Sequence, residues 1–92
     1  MKPIFAANVT AYSNAWKGRG VSFQDQAKRC NMSKGQFTNM RAGKIPSPGI
    51  WTAIRMAEGL GVSLDDLVTD RPEIREDAVR RIFECKHSRV AG

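Results

Sequence analysis

The same helix-start signal occurs three times in this chain of 92 residues, and its spacing strongly limits the possible folds. In each copy a serine is followed three residues later by Asp or Gln: Ser22 with Asp25, Ser33 with Gln36, and Ser63 with Asp66. The serine hydroxyl accepts a hydrogen bond from an unpaired amide of the first helical turn, and the later side chain can bond back to the serine. Because Ser22 and Ser33 lie close in sequence, they predict two short helices joined by a tight turn.

The residues after each of these two starts predict where the helices end. The first helix is expected over about residues 23 to 30, and Asn31 then tolerates the left-handed backbone that ends a helix. Met32 is expected to be the buried residue of the turn. The second helix follows Ser33 and is stopped by Gly43. A helix, a short turn and a second helix at this spacing are typical of the helix-turn-helix unit, in which the second helix enters the DNA major groove.

Apolar residues at helical spacing predict four further helices and therefore an all-α fold. A first helix is expected to begin after Pro3, and a fourth is expected to open at Ser47-Pro48. A short fifth helix is expected over residues 63 to 68, and an amphipathic sixth over about 73 to 86. The predicted core positions are Ile4, Phe5, Val9, Tyr12 and Trp16 in the first helix, and Ile50, Trp51, Ile54, Ala57 and Leu60 in the fourth, with Met56 near the edge.

The predicted organisation is one helical domain over residues 1–70, followed by a C-terminal helix and tail over residues 71–92. Two roles are open for the sixth helix. It either packs back on its own domain or pairs with the same helix of a second chain. We prefer pairing, because a domain of this size gains stability from a partner subunit.

Positive charge is concentrated around the helix-turn-helix unit. The formal net charge is +6 and the isoelectric point is near 9.9. Successive segments carry +3 (residues 1–20), +4 (21–46), −3 (47–70) and +2 (71–92). Such an asymmetry suits a polyanion bound to one face of the domain. The alternative is a basic surface that serves solubility alone.

Several classes of protein are disfavoured by what the sequence lacks. No apolar run has the length of a membrane span or of a signal-peptide core, so we expect a cytoplasmic protein, in the bacterial cytoplasm or nucleoid. With Cys30, Cys85 and a single histidine, His87, neither a disulfide framework nor a metal site is expected. No nucleophile with a base, carboxylate pair or phosphate-binding glycine loop is evident, and the run Gly18-Arg19-Gly20 is too short to count. We therefore expect neither enzymatic activity nor a cofactor.

An ordered set of residues resembles the helix-turn-helix domains of phage repressors and Cro proteins. The set comprises Ala27, the turn Asn31-Met32-Ser33, Phe37, Met40, Gly43-Lys44 and the run LGVSLDDL from Leu60 to Leu67. The resemblance covers about residues 21 to 68 and implies a compact five-helix, lambda-repressor-like domain. Two positions depart from the family pattern. Phe23 stands where the family often has a glutamine that touches a phosphate, and Gln26 stands where it usually has an apolar core residue.

The predicted second helix of the unit carries polar side chains on the face opposite its apolar residues. Asn39 has the donor and acceptor that adenine shows in the major groove, and Lys34 can donate to guanine or to a phosphate. Thr38 offers a methyl group and a hydroxyl to base edges, while Gly35 allows a close approach. The predicted base-reading residues are Lys34, Gly35, Gln36, Thr38 and Asn39, of which Gln36 is also a helix-start partner. The resemblance implies the same role for Lys34, Gly35, Thr38 and Asn39.

Phosphate contacts and a dimer interface complete the predicted sites. The predicted phosphate contacts are Lys17, Arg19, Ser22, Lys28, Arg41 and Lys44. The resemblance matches Lys44 to a frequent phosphate-contact position, and it puts a frequent dimer contact around the fifth helix. The predicted dimerisation residues are Leu64, Leu67, Ile74, Val79, Ile82 and Phe83.

Together these features predict a sequence-specific transcriptional regulator that binds double-stranded DNA. We expect a homodimeric repressor of phage or bacterial origin that occludes a promoter, with no membrane partner. The alternative is an antitoxin-like or scaffold protein that uses the same fold chiefly to bind a protein partner. That partner would contact the sixth helix or the acidic face of the fourth.

Overall fold

The computed structural model describes residues 4–45 and 48–84, which form six α-helices. The helices are α1 (Ile4–Gly18), α2 (Phe23–Arg29), α3 (Lys34–Ala42), α4 (Ile50–Leu60), α5 (Leu64–Val68) and α6 (Pro72–Glu84). These two ranges contain no strand, which confirms the all-α prediction. The predicted roles of Pro3, Ser47, Cys85 and His87, and the predicted end of the sixth helix near residue 86, lie outside the described residues.

Three helices begin at the serines that the sequence marks. Ser22, Ser33 and Ser63 each accept a hydrogen bond from the backbone amide three residues later, at 3.1, 3.1 and 3.0 Å. At Ser63 the Asp66 carboxylate also accepts a hydrogen bond from the serine amide, at 3.0 Å, so a complete capping box forms there. The predicted starts of α2, α3 and α5 are confirmed.

Residues with left-handed backbone end α2, α3 and α4, and the sequence predicts this at Asn31 and Gly43. Gly43 and Gly61 follow α3 and α4 with φ of 79° and 71°, and Asn31 follows the end of α2 with φ of 58°. The start of α4 was predicted wrongly. This helix begins at Ile50 with Gly49 as its cap, rather than at Ser47-Pro48. Gly49 has the extended backbone of a cap but no side chain to make the bond, so no pattern in the sequence indicated it.

The core contains five of the ten residues that were predicted for it in α1 and α4. Val9, Tyr12 and Trp16 of α1 are buried, as are Phe37, Met40, Ala57 and Leu60. Phe5 and the turn residue Met32 are half-buried and pack against this core. The prediction that Met32 is buried is therefore met only in part.

Three predicted core residues are instead exposed. The exposed fractions of Ile4, Ile50 and Trp51 are 51, 57 and 76%. Helix α4 turns a different face inward, which consists of Ala53, Met56, Ala57, Gly59 and Leu60. Several of these residues are small, which allows α4 to lie close to α2. Close packing therefore decides which apolar face is buried.

Helix α1 supplies hydrogen bonds to the C-terminal ends of α4 and α5. The last carbonyls of a helix have no partner within the helix, so other groups must satisfy them. The bonds run from Trp16 Nε1 to Leu60 O (2.7 Å), from Tyr12 Oη to Asp66 O (2.5 Å), and from Asn8 Nδ2 to Leu67 O (2.8 Å) and Thr69 O (2.9 Å). The donors lie one helical turn apart, so one stripe of α1 fixes two helix ends.

Helix α6 packs on α1 of the same chain. Ala78 and Ile82 are buried, with exposed fractions of 1 and 3%. Arg19 Nη1 donates to Ile82 O at 2.7 Å, and Arg75 Nη1 donates to Asn8 Oδ1 at 3.4 Å. Of the two roles left open for the sixth helix, packing on its own domain is the one observed in this single chain. Dimerisation stays a prediction.

Candidate nucleic-acid interface

Helix α3 is fixed on its inner side and open on its outer side. Phe37 and Met40 point into the core, with exposed fractions of 0 and 2%. The outer face presents four of the five predicted base-reading residues, all exposed: Lys34, Gly35, Thr38 and Asn39. The fifth, Gln36, is half-buried, and its backbone amide donates to the Ser33 hydroxyl.

Contacts with α1 hold the C-terminal end of α3. The Thr10 hydroxyl donates to the Arg41 carbonyl at 2.9 Å, and Arg41 Nη2 donates to Asn14 Oδ1 at 3.2 Å. The cap at Ser33 defines the other end of the helix. A short helix with both ends defined and one side in the core has a fixed orientation, which is what directional contacts with a ligand require.

The packing of α2 behind α3 uses a buried polar side chain. Gln26 is 1% exposed, and its Nε2 donates to Ser13 O at 3.1 Å and to Val21 O at 3.0 Å. Its Oε1 is buried without a hydrogen-bond partner. Gln26 therefore fills the position of an apolar residue while it ties α2 to the end of α1. Ala27 beside it is 1% exposed, so this side of α2 is buried.

The predicted phosphate contacts differ in how accessible they are. Lys17, Lys28 and Lys44 are exposed. Arg19 and Arg41 are half-buried and already bond to α6 and α1, respectively. The sixth predicted contact, Ser22, is also half-buried and uses its hydroxyl as a helix cap.

Aromatic rings bring several of these cations together. Lys17 Nζ lies 5.2 Å from the centroid of the Phe23 ring, and Arg41 Cζ lies 4.1 Å from the same centroid. Arg19 and Arg29 lie over Trp16, with Cζ 5.9 and 5.7 Å from its ring. Burial lowers the pKa of Arg41 from its ordinary value. Phe23 therefore contacts one cation from α1 and one from α3, and Trp16 contacts Arg29 of α2 and Arg19, which follows α1.

Cys30 lies behind this surface and is chemically shielded. Its side chain is buried, and its thiol lies 3.9 Å from the Met56 carbonyl oxygen. Burial raises the pKa of the Cys30 thiol to about 12. A thiol that stays protonated is a poor nucleophile and a poor metal ligand, so Cys30 acts as a small apolar residue.

Neither family models, curated proteins nor solved structures gave a match to this chain. The geometry of the chain itself must therefore support any assignment of function. In the part of the chain that the structure describes, no three His, Cys, Asp or Glu side chains come close enough to hold a metal ion. None of the helices in residues 4–45 and 48–84 is long and apolar enough to cross a membrane.

An apolar groove lies between the start of α1, the start of α4, and α5. The groove is open to solvent and has a volume of about 450 Å³. It is lined by Phe5, Pro48, Ile50, Ala53, Leu64, Asp65 and Val68. Ile50 and Val68 are each 57% exposed at this surface. The groove was not predicted, because Ile50 had been assigned to the core.

The predicted dimerisation residues do not lie together on one surface. Leu67 and Ile82 are core residues, with exposed fractions of 0 and 3%, so a second chain cannot contact them in this conformation. Ile74 and Val79 are half-buried on α6. Leu64 lines the groove, whereas Phe83, which is 53% exposed, lies at the far end of α1 beside Gly18. The pattern of apolar residues did not distinguish intrachain from interchain packing.

The side-chain contacts of two residues, Asn8 and Phe23, were not predicted from the sequence. Asn8 was not singled out, although it bonds two carbonyls at the end of α5, and Phe23 was noted only as a departure from a family pattern. The two cations over Phe23 come from α1 and α3, which are distant in sequence. No local spacing indicates such a meeting.

Proposed function

We propose that this protein is a sequence-specific regulator of transcription that binds double-stranded DNA through α3. The observation that best supports this function is the outer face of α3. There Lys34, Gly35, Thr38 and Asn39 are exposed, while the opposite side of the helix is core. Together these residues offer hydrogen-bond donors, an acceptor and a methyl group to the major groove. The arrangement of the first five helices supports a fold of the phage-repressor type.

The charge distribution supports the same proposal. The segments before residue 47 are both positive, whereas residues 47–70 are negative. Lys17, Lys28 and Lys44 are exposed and supply the sequence-independent attraction to phosphates. Base contacts from α3 then supply sequence choice.

Repression would follow from occupancy of a promoter by a dimer. Two recognition helices, about 34 Å apart, would enter successive major grooves on one side of the duplex and block polymerase. We assign the interface to the apolar groove, where Leu64, Ile50 and Val68 are available. Leu67 and Ile82 are left out of the interface because they are core residues.

Selection of bound sites from random double-stranded DNA, near physiological salt, tests the proposal. The expected result is a palindrome whose half-sites are centred about ten base pairs apart. Enrichment of a single half-site would support sequence-specific DNA binding but would contradict the proposed dimer. Binding without enrichment, lost as salt rises, would reject sequence-specific regulation.

Two substitutions separate base reading from phosphate contact. Asn39→Ala should cost about 1 to 3 kcal/mol on the selected site and relax the choice at one base pair. Lys44→Ala should weaken binding to all duplexes similarly and reduce the salt slope by about one. Fluorescence anisotropy on the selected and on a random duplex measures both effects. If the two variants lost the same affinity on the selected duplex and the same affinity on the random duplex, these roles would be contradicted.

The exposed apolar surface favours a second function, that of a protein-binding module. Trp51 is 76% exposed, and Ile50 beside it is 57% exposed at the edge of the groove. Large exposed apolar side chains often mark interaction sites. If random-site selection gives no enrichment, this second function becomes the better account of the chain.

A further inference from the structure

Phe23 brings two positive charges from different helices to one place. Lys17 lies near the end of α1 and Arg41 near the end of α3, and both lie over the ring of the first residue of α2. Lys17 Nζ lies 5.2 Å and Arg41 Cζ 4.1 Å from the ring centroid, so the distance between the two charges cannot exceed the sum of these two values. A phenylalanine ring attracts cations through its negative face, which offsets part of their mutual repulsion.

Among the residues that the structure describes, no carboxylate forms an ion pair with Lys17 or Arg41. Within the described ranges, the ion pairs are those of Arg71, Arg80 and Arg81 with acidic side chains. Arg41 is held instead by its stacking on Phe23 and by the neutral Asn14, and its Nε is buried without a hydrogen-bond partner. Two uncompensated cations close to one ring repel each other, and an anion that contacts both would relieve that repulsion.

We propose that Lys17, Phe23 and Arg41 form one composite site for a single backbone phosphate of the bound DNA. The inference rests on the proposed function, and it assigns a DNA-binding role to an uncharged residue. Lys17 is exposed, so its ammonium group can move toward the phosphate, while Arg41 is already oriented by Asn14 and the ring. Phe23 acts as a positioning residue, because its ring lies 5.2 Å from Lys17 Nζ and 4.1 Å from Arg41 Cζ.

The position of the site explains what such a phosphate contact would do. Arg41 belongs to the last turn of α3, so a phosphate bound at this site is held directly by the recognition helix and by the end of α1. The contact would fix the angle and depth at which α3 enters the groove. Phosphate is favoured over a carboxylate ligand because it presents several oxygens in different directions, which suits two cations that converge from separate helices.

The test compares Phe23→Leu with Phe23→Tyr on one random-sequence duplex over a range of salt concentrations. Leu keeps an apolar side chain but removes the ring, whereas Tyr keeps the ring. Phe23→Leu should weaken binding roughly three- to tenfold and lower the slope of log affinity against log salt by up to about 0.9, although no charge is removed. Phe23→Tyr should retain the wild-type slope. Thermal unfolding followed by circular dichroism confirms that both variants are folded at the assay temperature.

Replacement of single phosphates by neutral methylphosphonate locates the contact. On the selected duplex, neutralisation of each contacted phosphate should reduce binding by the wild-type chain. In the Phe23→Leu variant, one of those positions in each half-site should no longer have an effect. The matched control is Lys28→Ala, an exposed cation of α2 that lies outside the pair on Phe23. This control should lower the affinity but leave the sensitive position unchanged.

The possible outcomes separate this inference from the proposed function. If wild-type protein binds no duplex, the proposed function fails, and the inference fails with it. If wild-type protein binds DNA but Phe23→Leu keeps the full salt slope and the same sensitive phosphate, the inference alone is overturned. A lowered slope for Phe23→Leu that Phe23→Tyr restores, with loss of one sensitive phosphate, supports the composite site.

Discussion

Gly59 shows how the absence of a side chain sets the distance between two helices. An added Cβ at Gly59 would lie 2.5 Å from Cys30 Sγ and 2.6 Å from the Cys30 backbone nitrogen. These separations are shorter than van der Waals contact, and one of the two atoms belongs to the backbone. The crossing of α4 over α2 therefore requires glycine at this position.

Gly59→Ala should destabilise the protein by about 1 to 3 kcal/mol, because the helices must move apart to admit the methyl group. Gly35→Ala is the matched control, since a Cβ there meets nothing within 4 Å. Gly35 lies in the first turn of α3, so the substitution should stabilise by less than the about 0.5 to 1 kcal/mol typical of a helix interior. Urea denaturation of both variants measures the difference. Equal free energies of unfolding would show that α4 can shift at no cost.

Two buried acidic protons predict a loss of stability at alkaline pH. Burial raises the pKa of the Cys30 thiol from 9.0 to about 12, and burial together with the nearby Asp66 carboxylate raises the pKa of the Tyr12 hydroxyl from 10.0 to about 12. The unfolded chain releases both protons at lower pH than the folded chain. The stability linked to the neutral forms is therefore complete below about pH 9 and is lost as the pH rises toward 12.

The free energy of unfolding, measured by urea titration at a series of pH values, should fall between pH 9 and 12. In the Cys30→Ala variant the decline should begin about one pH unit higher, because only the Tyr12 proton then contributes. A free energy of unfolding that stays constant from pH 9 to 11 in the wild-type chain would contradict the assigned burial of both groups.

At the level of elements, side chains of α1 donate hydrogen bonds to carbonyl groups at the C-terminal ends of α4 and α5. Asn8 is fully buried, and its amide donates to the carbonyls of Leu67 and Thr69. The side-chain Oδ1 of Asn8 accepts a hydrogen bond from Arg75 of α6. One side chain thus connects three helices.

Asn8→Ala should destabilise the fold by about 2 to 4 kcal/mol, since two acceptors lose their donor and a cavity remains. Asn39→Ala is a suitable control because Asn39 is an exposed asparagine in a helix. Alanine should be neutral or slightly stabilising there. Thermal unfolding distinguishes the two substitutions, and similar midpoints would mean that water replaces the Asn8 amide.

The helix boundaries were largely predictable from the sequence because their determinants are local. A serine cap at Ser33 or a left-handed glycine at Gly43 acts within a few residues, whatever the rest of the chain does. The buried face of α4 was not predictable in this way. Ile50 and Trp51 fit a helical period as well as Ala53 and Met56 do, and only the close approach of α2 decides between the two faces. The burial of Asn8 likewise depends on carbonyls more than fifty residues away in sequence.

On the outer face of α3 the prediction of exposure succeeded at four positions, because the apolar residues of that helix leave one possible inner face. Of the residues predicted for dimerisation, Leu67 and Ile82 are instead buried. Apolar residues of α5 and α6 are equally suited to contacts within a chain and between chains, so their pattern did not indicate that Leu67 and Ile82 belong to the core.

The whole molecule carries two distinct surfaces. The outer face of α3 is polar and belongs to the positively charged part of the chain. The groove is apolar, with Asp65 in its lining, and involves the acidic segment. Because different elements form the two surfaces, the proposed DNA contact and the proposed dimer contact do not compete for the same residues.

Val68→Asp should weaken dimerisation at least about tenfold, since it places a charge in the proposed interface. Phe83→Asp is the control, because Phe83 is similarly exposed but lies outside the groove. Sedimentation velocity over a range of concentrations measures the association of each variant. If Phe83→Asp weakened dimerisation and Val68→Asp did not, the interface would involve α6 instead of the groove.

The outer face of α3 has a consequence for how such a protein can change. Lys34, Gly35, Thr38 and Asn39 are all exposed, and a side chain added at Gly35 meets no neighbouring atom. Their replacement therefore leaves the core and the caps intact. A library randomised at these four codons should remain folded in nearly every member. Evolution, or a designer, can thus vary the outer face of this scaffold with changes in stability that are limited to the helix propensities of the new residues.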